Sequence, residues 1–334
     1  MARQEWEDEY RKILQAFLRG RGEDQLYLGQ QLSKWLRAHH VAPEEIVDFH
    51  VRALAEVMEL PELVKDSFQL LTEVMIEYGV AFREYRSLRS RQQQLQSEIE
   101  VAATMQQTLL PRTSPQFDQL EIGLISVPAK QMSGDYYNFS KHNDQVFSVA
   151  LADIIGKGIP AALCMSMIKY AMDSFLDQRI TPAVMLSHLN GVVERNIEPG
   201  MFITMFYGMY DTCLHRFRYA VAGHEPGFWY RASSRRLYDL ESRGLVLGVT
   251  PEVDYQEFEI DIEPGDLLIL MTDGVTERKV GGRFLQRENI ADLIQAEIGS
   301  SAQQIADNLY RKLLLLSNLE LPDDHTMIVI RRVV

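Results

Sequence analysis

At Pro111 the pattern of apolar residues in this chain changes from helical to strand-like, and the change marks two differently built halves. Upstream, Trp6, Tyr10, Ile13, Leu14 and Phe17 recur at helical spacing, as do Leu28, Leu32, Trp35 and Leu36. Gly20 and Gly22 separate these two helices. Pro43 stands at a first helical position, where a missing N–H is no loss, and Glu44 and Glu45 suit the positive end of the helix dipole. The third helix runs on through Ile46, Phe49, His50, Leu54 and Val57. A fourth starts at Pro61 and meets no strong stop before Leu110; Gly79 is its one mild weakness. Stripes of this kind are buried in an all-helical bundle.

Within the fourth helix a seven-residue repeat runs through Leu71, Val74, Tyr78, Ala81, Tyr85, Leu88, Gln92, Leu95, Ile99, Ala102, Gln106 and Leu109. A repeat sustained over this length predicts a parallel coiled-coil seam, the competing arrangement being one helix packed within its own chain. Gln92 and Gln106 at seam positions weaken such a pair while fixing its register. The expectation is a helical bundle over residues 1–84 and a coiled-coil linker over 85–111, suited to pairing that changes.

Beyond the break at Thr113, Ser114 and Pro115, strands are predicted at 120–127, 146–153, 202–211, 217–221, 227–231, 255–262, 267–273 and 326–333. Helices are predicted only in pairs, at 160–176 with 182–196 and at 287–298 with 302–316. Strands in runs and helices in pairs indicate an α+β fold, with each helix pair covering the outer face of one of two stacked antiparallel sheets.

Acidic residues mark the ends of these apolar runs: Asp135, Asp153, Asp273, and Asp323 with Asp324. A carboxylate beside a buried strand is costly alone, and several that converge repel. A hard divalent cation relieves both problems by taking oxygen ligands from separate segments. The net charge of −13 argues against a nucleic-acid binder, which wants basic stripes. Cys164 and Cys213 form no motif and fit free thiols. The charged N-terminus lacks a signal-peptide core, and no run reaches the ~18 apolar residues of a membrane span, so a soluble cytoplasmic protein is expected.

Gly156, Gly158 and Ala161 fit the loose G-x-G-x-x-A form of the dinucleotide fingerprint. Against it stand the charge of Asp153, a second helix where a parallel strand belongs, and meander strands thereafter. The same glycines would let backbone carbonyls approach a cation beside Asp153. His224 is read as a turn residue in preference to a general acid or ligand, no second histidine being suitably spaced, and His325 as a strand-entry residue. Ser133 beside Gly134 is no nucleophile elbow.

Taken together, Ser133-Gly134-Asp135-Tyr136-Tyr137, Ala152 to Gly158, Ala222-Gly223-His224-Glu225-Pro226, Thr272 to Glu277 and Asp323-Asp324-His325-Thr326 resemble the SpoIIE-like branch of the PPM metal-dependent Ser/Thr protein phosphatases. The match covers roughly residues 118–334 in the family's order. Ile76 to Gly79 and Gln106 to Leu110 look like the stress-response members of that branch. The resemblance implies an αββα sandwich and two manganese or magnesium ions. Asp153 would bridge both; Asp273 and Asp323 would complete one site, and Asp135 with the Ile154 carbonyl the other. Asp324 would stand behind them or hold a water, and Lys130 and Lys157 are candidate phosphate helpers. The resemblance further implies a phosphoserine anti-anti-sigma factor (RsbV-like) as substrate and an RsbT-like activator on the N-terminal helices of a homodimer. A phosphatase-like domain that only binds its phosphoprotein is the competing function.

Overall fold

The computed structural model describes residues 3–156, 158–175, 178, 180–198, 200–280 and 283–334. It divides by its internal contacts into Met1–Gln96 and Ser97–Val334. The first unit holds α1 (Arg3–Gly20), α2 (Glu23–Ala38), α3 (Pro43–Ala55) and most of α4 (Glu62–Gln107). Pro43 opens α3 at its first turn, with Glu44 and Glu45 following, as the sequence predicts. Trp6, Leu14, Leu32, Leu36, Phe49 and Ala53 form this unit's core, and Trp6 meets Phe49 edge-on at 5.1 Å between ring centres.

The second unit is a four-layer α+β sandwich. One sheet orders β1 (Leu120–Val127), β12 (His325–Arg332), β9 (Leu267–Met271), β6 (Phe228–Arg231) and β7 (Arg236–Asp239). The other orders β2 (Asp135–Lys141), β3 (Val146–Ile154), β4 (Ile203–Asp211), β5 (Arg216–Ala222) and β8 (Glu257–Asp261). Every pairing in both is antiparallel. Phe147, Val149, Leu151, Phe206, Phe217, Leu268, Leu270 and Ile328 fill the space between the sheets. Helices α5 (Ile159–Asp173) and α6 (Pro182–Asn196) cover the outer face of the β2–β8 sheet through Met165, Ile168, Leu186 and Leu189. A one-turn α7 (Asp273–Thr276) and a short hairpin, β10 (Lys279–Val280) with β11 (Arg283–Phe284), lead from β9 to α8 (Arg287–Gln295) and α9 (Ala302–Leu316). The last two cover the other sheet through Ile290, Ile294, Ile305 and Leu309. A capping box of Ser301 and Gln304 starts α9.

Several expectations change. Asp135 opens a strand that the sequence does not signal, and Asp273 is the first residue of α7, β9 having ended at Met271. The antiparallel return from β3 through two helices to β4 removes the parallel βαβ unit that a dinucleotide fold requires, so the Gly156 loop is a strand-to-helix connection. Lys157, and Leu176 at the expected end of α5, lie outside the described residues. Cys164 and Cys213 are free thiols. Among the described residues no helix is long and apolar enough to cross a membrane.

Candidate active site

The ends of β2, β3, β9 and β12 come together at one end of the sandwich. Asp135 and Asp153 face each other across the β2–β3 pair. The Thr272 hydroxyl, just past β9 in the opposite sheet, donates to Asp135 Oδ2 at 2.8 Å and accepts from the Thr326 backbone N–H at 3.1 Å. Thr272 is next to Asp273, so one hydrogen bond links the acid pair of one sheet to the acid of the other.

Asp135 is 1% exposed. Burial pushes its carboxyl well above the usual range, and the charges of Asp153 and Asp324 push the same way against the hydroxyls of Thr326 and Thr272. Burial likewise raises Asp273, helped by the charges of Asp323, Glu277 and Glu225. Two sets of mutually repelling carboxylates thus sit within one small region, and a cation would relieve both. Gly134 is needed beside them. A Cβ there would lie 3.0 Å from the Ile154 carbonyl oxygen and 3.1 Å from Asp153 Oδ1, so both oxygens border the space that Gly134 leaves open.

Asp324 has a different task. Its Oδ1 accepts from the Ala129 N–H at 2.7 Å and its Oδ2 from the Gly134 N–H at 2.6 Å. Both oxygens are therefore committed to backbone, and the residue fastens the loop ahead of Asp135. Asp323 accepts from the Asp324 N–H at 3.0 Å. Gly274 is packed so closely on this turn that a Cβ would meet the Asp324 carbonyl oxygen at 1.9 Å.

The structure does not gather all the acids into one shell. Among the described residues no three His, Cys, Asp or Glu side chains stand close enough together to hold an ion by themselves. The donor set still fits magnesium or manganese, which retain several waters and take one or two carboxylates each. The Ile154 carbonyl oxygen and Asp153 Oδ1 both lie within about 3.1 Å of where a Gly134 Cβ would stand. Lys130 is exposed, with no contact that assigns it to the site.

The other sequence candidates are buried and neutral. His224 is 4% exposed, pairs through Nδ1 with Thr204 Oγ1 at 2.8 Å, and is pushed down to about 4 by burial. It is no acid at neutral pH. His325 is also fully buried and is pushed down to about 3 by burial and by the Arg278 charge. Arg278, missed in the sequence, is 1% exposed; it donates to the Gly274 carbonyl at 3.2 Å, to Ser317 Oγ at 2.9 Å and to His325 Nδ1 at 2.9 Å. It pins α7 to the entry of β12. Ser133 is 8% exposed and its Oγ accepts from the Asp135 N–H at 3.0 Å, a loop bond and not a nucleophile's setting.

Two solved structures share the fold. The SiaA-PP2C domain of Pseudomonas aeruginosa matches with a TM-score of 0.64 at 18% identity, over 72% of this chain and 98% of that one. The PP2C domain of SpoIIE from Bacillus subtilis, with a fragment of its regulatory domain, matches with a TM-score of 0.56 at 19% identity, over 64% of each chain. The fold and the family match together define a PPM, or PP2C-type, Ser/Thr protein phosphatase, a class whose members are metal-dependent. The profile of Stage II sporulation protein E (SpoIIE) matches residues 143–333, and that of the phosphoserine phosphatase RsbU N-terminal domain matches residues 8–81. Phosphoserine phosphatase RsbU of Bacillus subtilis (strain 168) is 49% identical over 98% of this chain and 97% of that protein. The chain belongs to the SpoIIE family of phosphatases, among its RsbU-like members.

Proposed function

We propose that this phosphatase removes phosphate from a serine of an RsbV-like anti-anti-sigma factor when an RsbT-like partner engages its N-terminal helices, switching on a sigma-B type general stress response by partner switching. The 49% identity to RsbU along nearly the whole chain supports this reading. Residues 1–84 are the partner-binding and dimerising module, 85–111 the coiled-coil linker and 118–334 the catalytic domain. In the linker, the seam residues Tyr85, Leu88 and Leu95 are 60%, 65% and 59% exposed, as a helix awaiting its pair would leave them.

The observation that carries the catalytic reading is the link from Asp153 across to Asp135 and through Thr272 to the Asp273 end of the other sheet. We assign Asp135, Asp153, Asp273, Asp323 and the Ile154 carbonyl as ligands of two divalent ions, Mn²⁺ or Mg²⁺. Asp153 would serve both ions, Asp273 and Asp323 would hold one, and Asp135 with the Ile154 carbonyl would hold the other. When bound, such a pair lowers the pKa of a water and neutralises phosphoryl oxygens for in-line attack. The chain's own part is to hold the acids at fixed places: Thr272 orients Asp135, Asp324 ties down its loop, and Arg278 fixes α7 under Asp273. A water activated in this way would be the nucleophile, so hydrolysis would need no covalent phosphoenzyme.

The test is turnover of a serine-phosphorylated RsbV-like protein by the full chain with Mn²⁺, with and without an RsbT-like partner. Asp273→Asn and Asp135→Asn are expected to lose at least the ~10–100-fold that changes around a metal site cost. Retained binding of the phosphoprotein without any turnover by the unaltered chain would instead support a non-catalytic binding module.

A further inference from the structure

The last turn of α4 reaches the site through one buried polar side chain. Gln106 is 4% exposed. Its Nε2 donates to the Ser133 carbonyl at 2.7 Å, and its Oε1 accepts from the Ser133 N–H at 3.0 Å. This two-bond pairing of an amide with both polar groups of one residue fixes the orientation of that backbone as a strand partner would. It also overturns the seam position that the heptad assigns to Gln106, since the side chain is used inside its own chain. Ala103, one turn earlier, is buried too, and Leu109 and Leu110 pack on the catalytic core. An apolar side chain would serve a purely packed helix end there, whereas an unpaired amide would be costly.

From Ser133 onward the backbone is held in turn by other segments of the site and by the loop's own serine. The Gly134 N–H goes to Asp324, the Gly134 carbonyl accepts from the Ile154 N–H at 3.1 Å, and the Asp135 N–H goes to Ser133 Oγ. Gly134 stands close to the Ile154 carbonyl and Asp153 Oδ1, which a Cβ in its place would meet at 3.0 and 3.1 Å. A shift or rotation of the last turn of α4 therefore moves the Ser133 backbone, and with it the spacing of Asp135, Asp153 and the Ile154 oxygen.

We propose that Gln106 is a positioning residue, the contact through which the linker helix sets the affinity of the Asp135 side of the site for its metal. The proposal rests on the metal-dependent reading above and adds the side chain that ties it to α4. The test uses full-length protein and Mn²⁺ alone, with affinity read by calorimetry. Gln106→Met keeps the volume without the hydrogen bonds, and Gln106→Asn keeps the amide but is one methylene too short to reach. Both are expected to weaken Mn²⁺ binding about tenfold, within the usual range of coupling between sites. In metal-free protein, hydrogen exchange of the peptide spanning Ser133 to Tyr136 is expected to speed up in both. A role in folding alone would lower the melting temperature and leave the Mn²⁺ affinity of the folded protein where it was. Wild-type affinity and wild-type exchange in either folded variant would overturn the proposal. If the unaltered chain takes up no Mn²⁺, the metal reading itself falls; if it binds and the variants match it, only the role of Gln106 falls.

Discussion

Asp135 and Asp324 are close enough to feel each other's charge, yet the surroundings give them opposite work. Asp324 has a backbone N–H on each oxygen, and Asp135 has threonine hydroxyls and almost no water. Replacing Asp324 by Asn sets an amide against one of the two N–H donors. We expect Asp324→Asn to lose about 1–3 kcal/mol in urea unfolding of metal-free protein, the usual cost of an unsatisfied buried group. Asp135→Asn removes a repelling charge, and is expected to leave metal-free stability at pH 7.5 unchanged or higher while abolishing turnover. Equal losses in the two variants would contradict this division of labour. His224 supplies a pH-dependent counterpart. Its native value is pushed down to about 4, whereas the unfolded chain titrates it near ~6.5. Above that range the residue is neutral in both states and its contribution is complete. As pH falls, the unfolded state takes up the proton first and stability is lost, at about 1.4 kcal/mol per pH unit, until the native value is reached. Between pH 6.5 and 5 the wild type should therefore lose about 2 kcal/mol more than His224→Gln, measured by chemical unfolding at each pH.

Elements differ in how plainly the sequence announces them. Pairs of helices and the long apolar strands were legible because one face of each is continuously hydrophobic, and α6 and α9 match their expected bounds. Strand β2 was not, since Asp135, Asn138 and Ser140 lie among its buried residues: Asn138 and Ser140 satisfy each other within the strand, and Asp135 finds its partner Thr272 only in the opposite sheet. The short edge strand β7 is mostly exposed, so no face of it needs an apolar pattern. Among candidate site residues, Asp153 and Asp273 were legible at the ends of predicted strands, Asp273 standing just past β9, whereas Asp135 sits in a strand the sequence did not signal and Arg278 shows only when Gly274, Ser317 and His325 converge on it. The heptad in α4 was legible as periodicity, but periodicity does not say which partner covers it. Its middle stretch is exposed and its last turn is packed at home through Ala103 and Gln106. Leu88→Lys with Leu95→Lys places two charges on the exposed stretch and leaves the last turn intact. If the exposed seam pairs two chains as proposed, the wild type should sediment as a dimer and the double variant as a monomer at the same concentration, with basal Mn²⁺-dependent turnover within about twofold of wild type, since surface changes away from packed features are usually mild. Persistence of the dimer would exclude this seam as its interface.

At the scale of the whole molecule, the chain has a helical core built on Trp6 and Phe49 and a separate set of cores in the sandwich, with α4 running from one unit into the other. Control of the second by the first then amounts to a coupling free energy, and tenfold activation needs only about 1.4 kcal/mol. Bonds such as those of Gln106 are of that order, so a single helix end suffices to carry the signal. This makes the outcome of separating the units specific. A fragment of residues 97–334 keeps all the acids, Arg278 and the Gln106 contact with Ser133. It is expected to hydrolyse a small aryl phosphate in Mn²⁺ at a rate within a few-fold of the unstimulated full chain. The RsbT-like partner should raise the rate of the full chain about tenfold or more and leave the fragment unchanged. A fragment that still answers to the partner would place the activator's contact on the sandwich. A fragment much faster than the full chain would make the helical unit an inhibitor whose grip the partner releases. Steady-state rates of the two proteins, each with and without partner, separate these three arrangements, and the coupling through α4 requires the first.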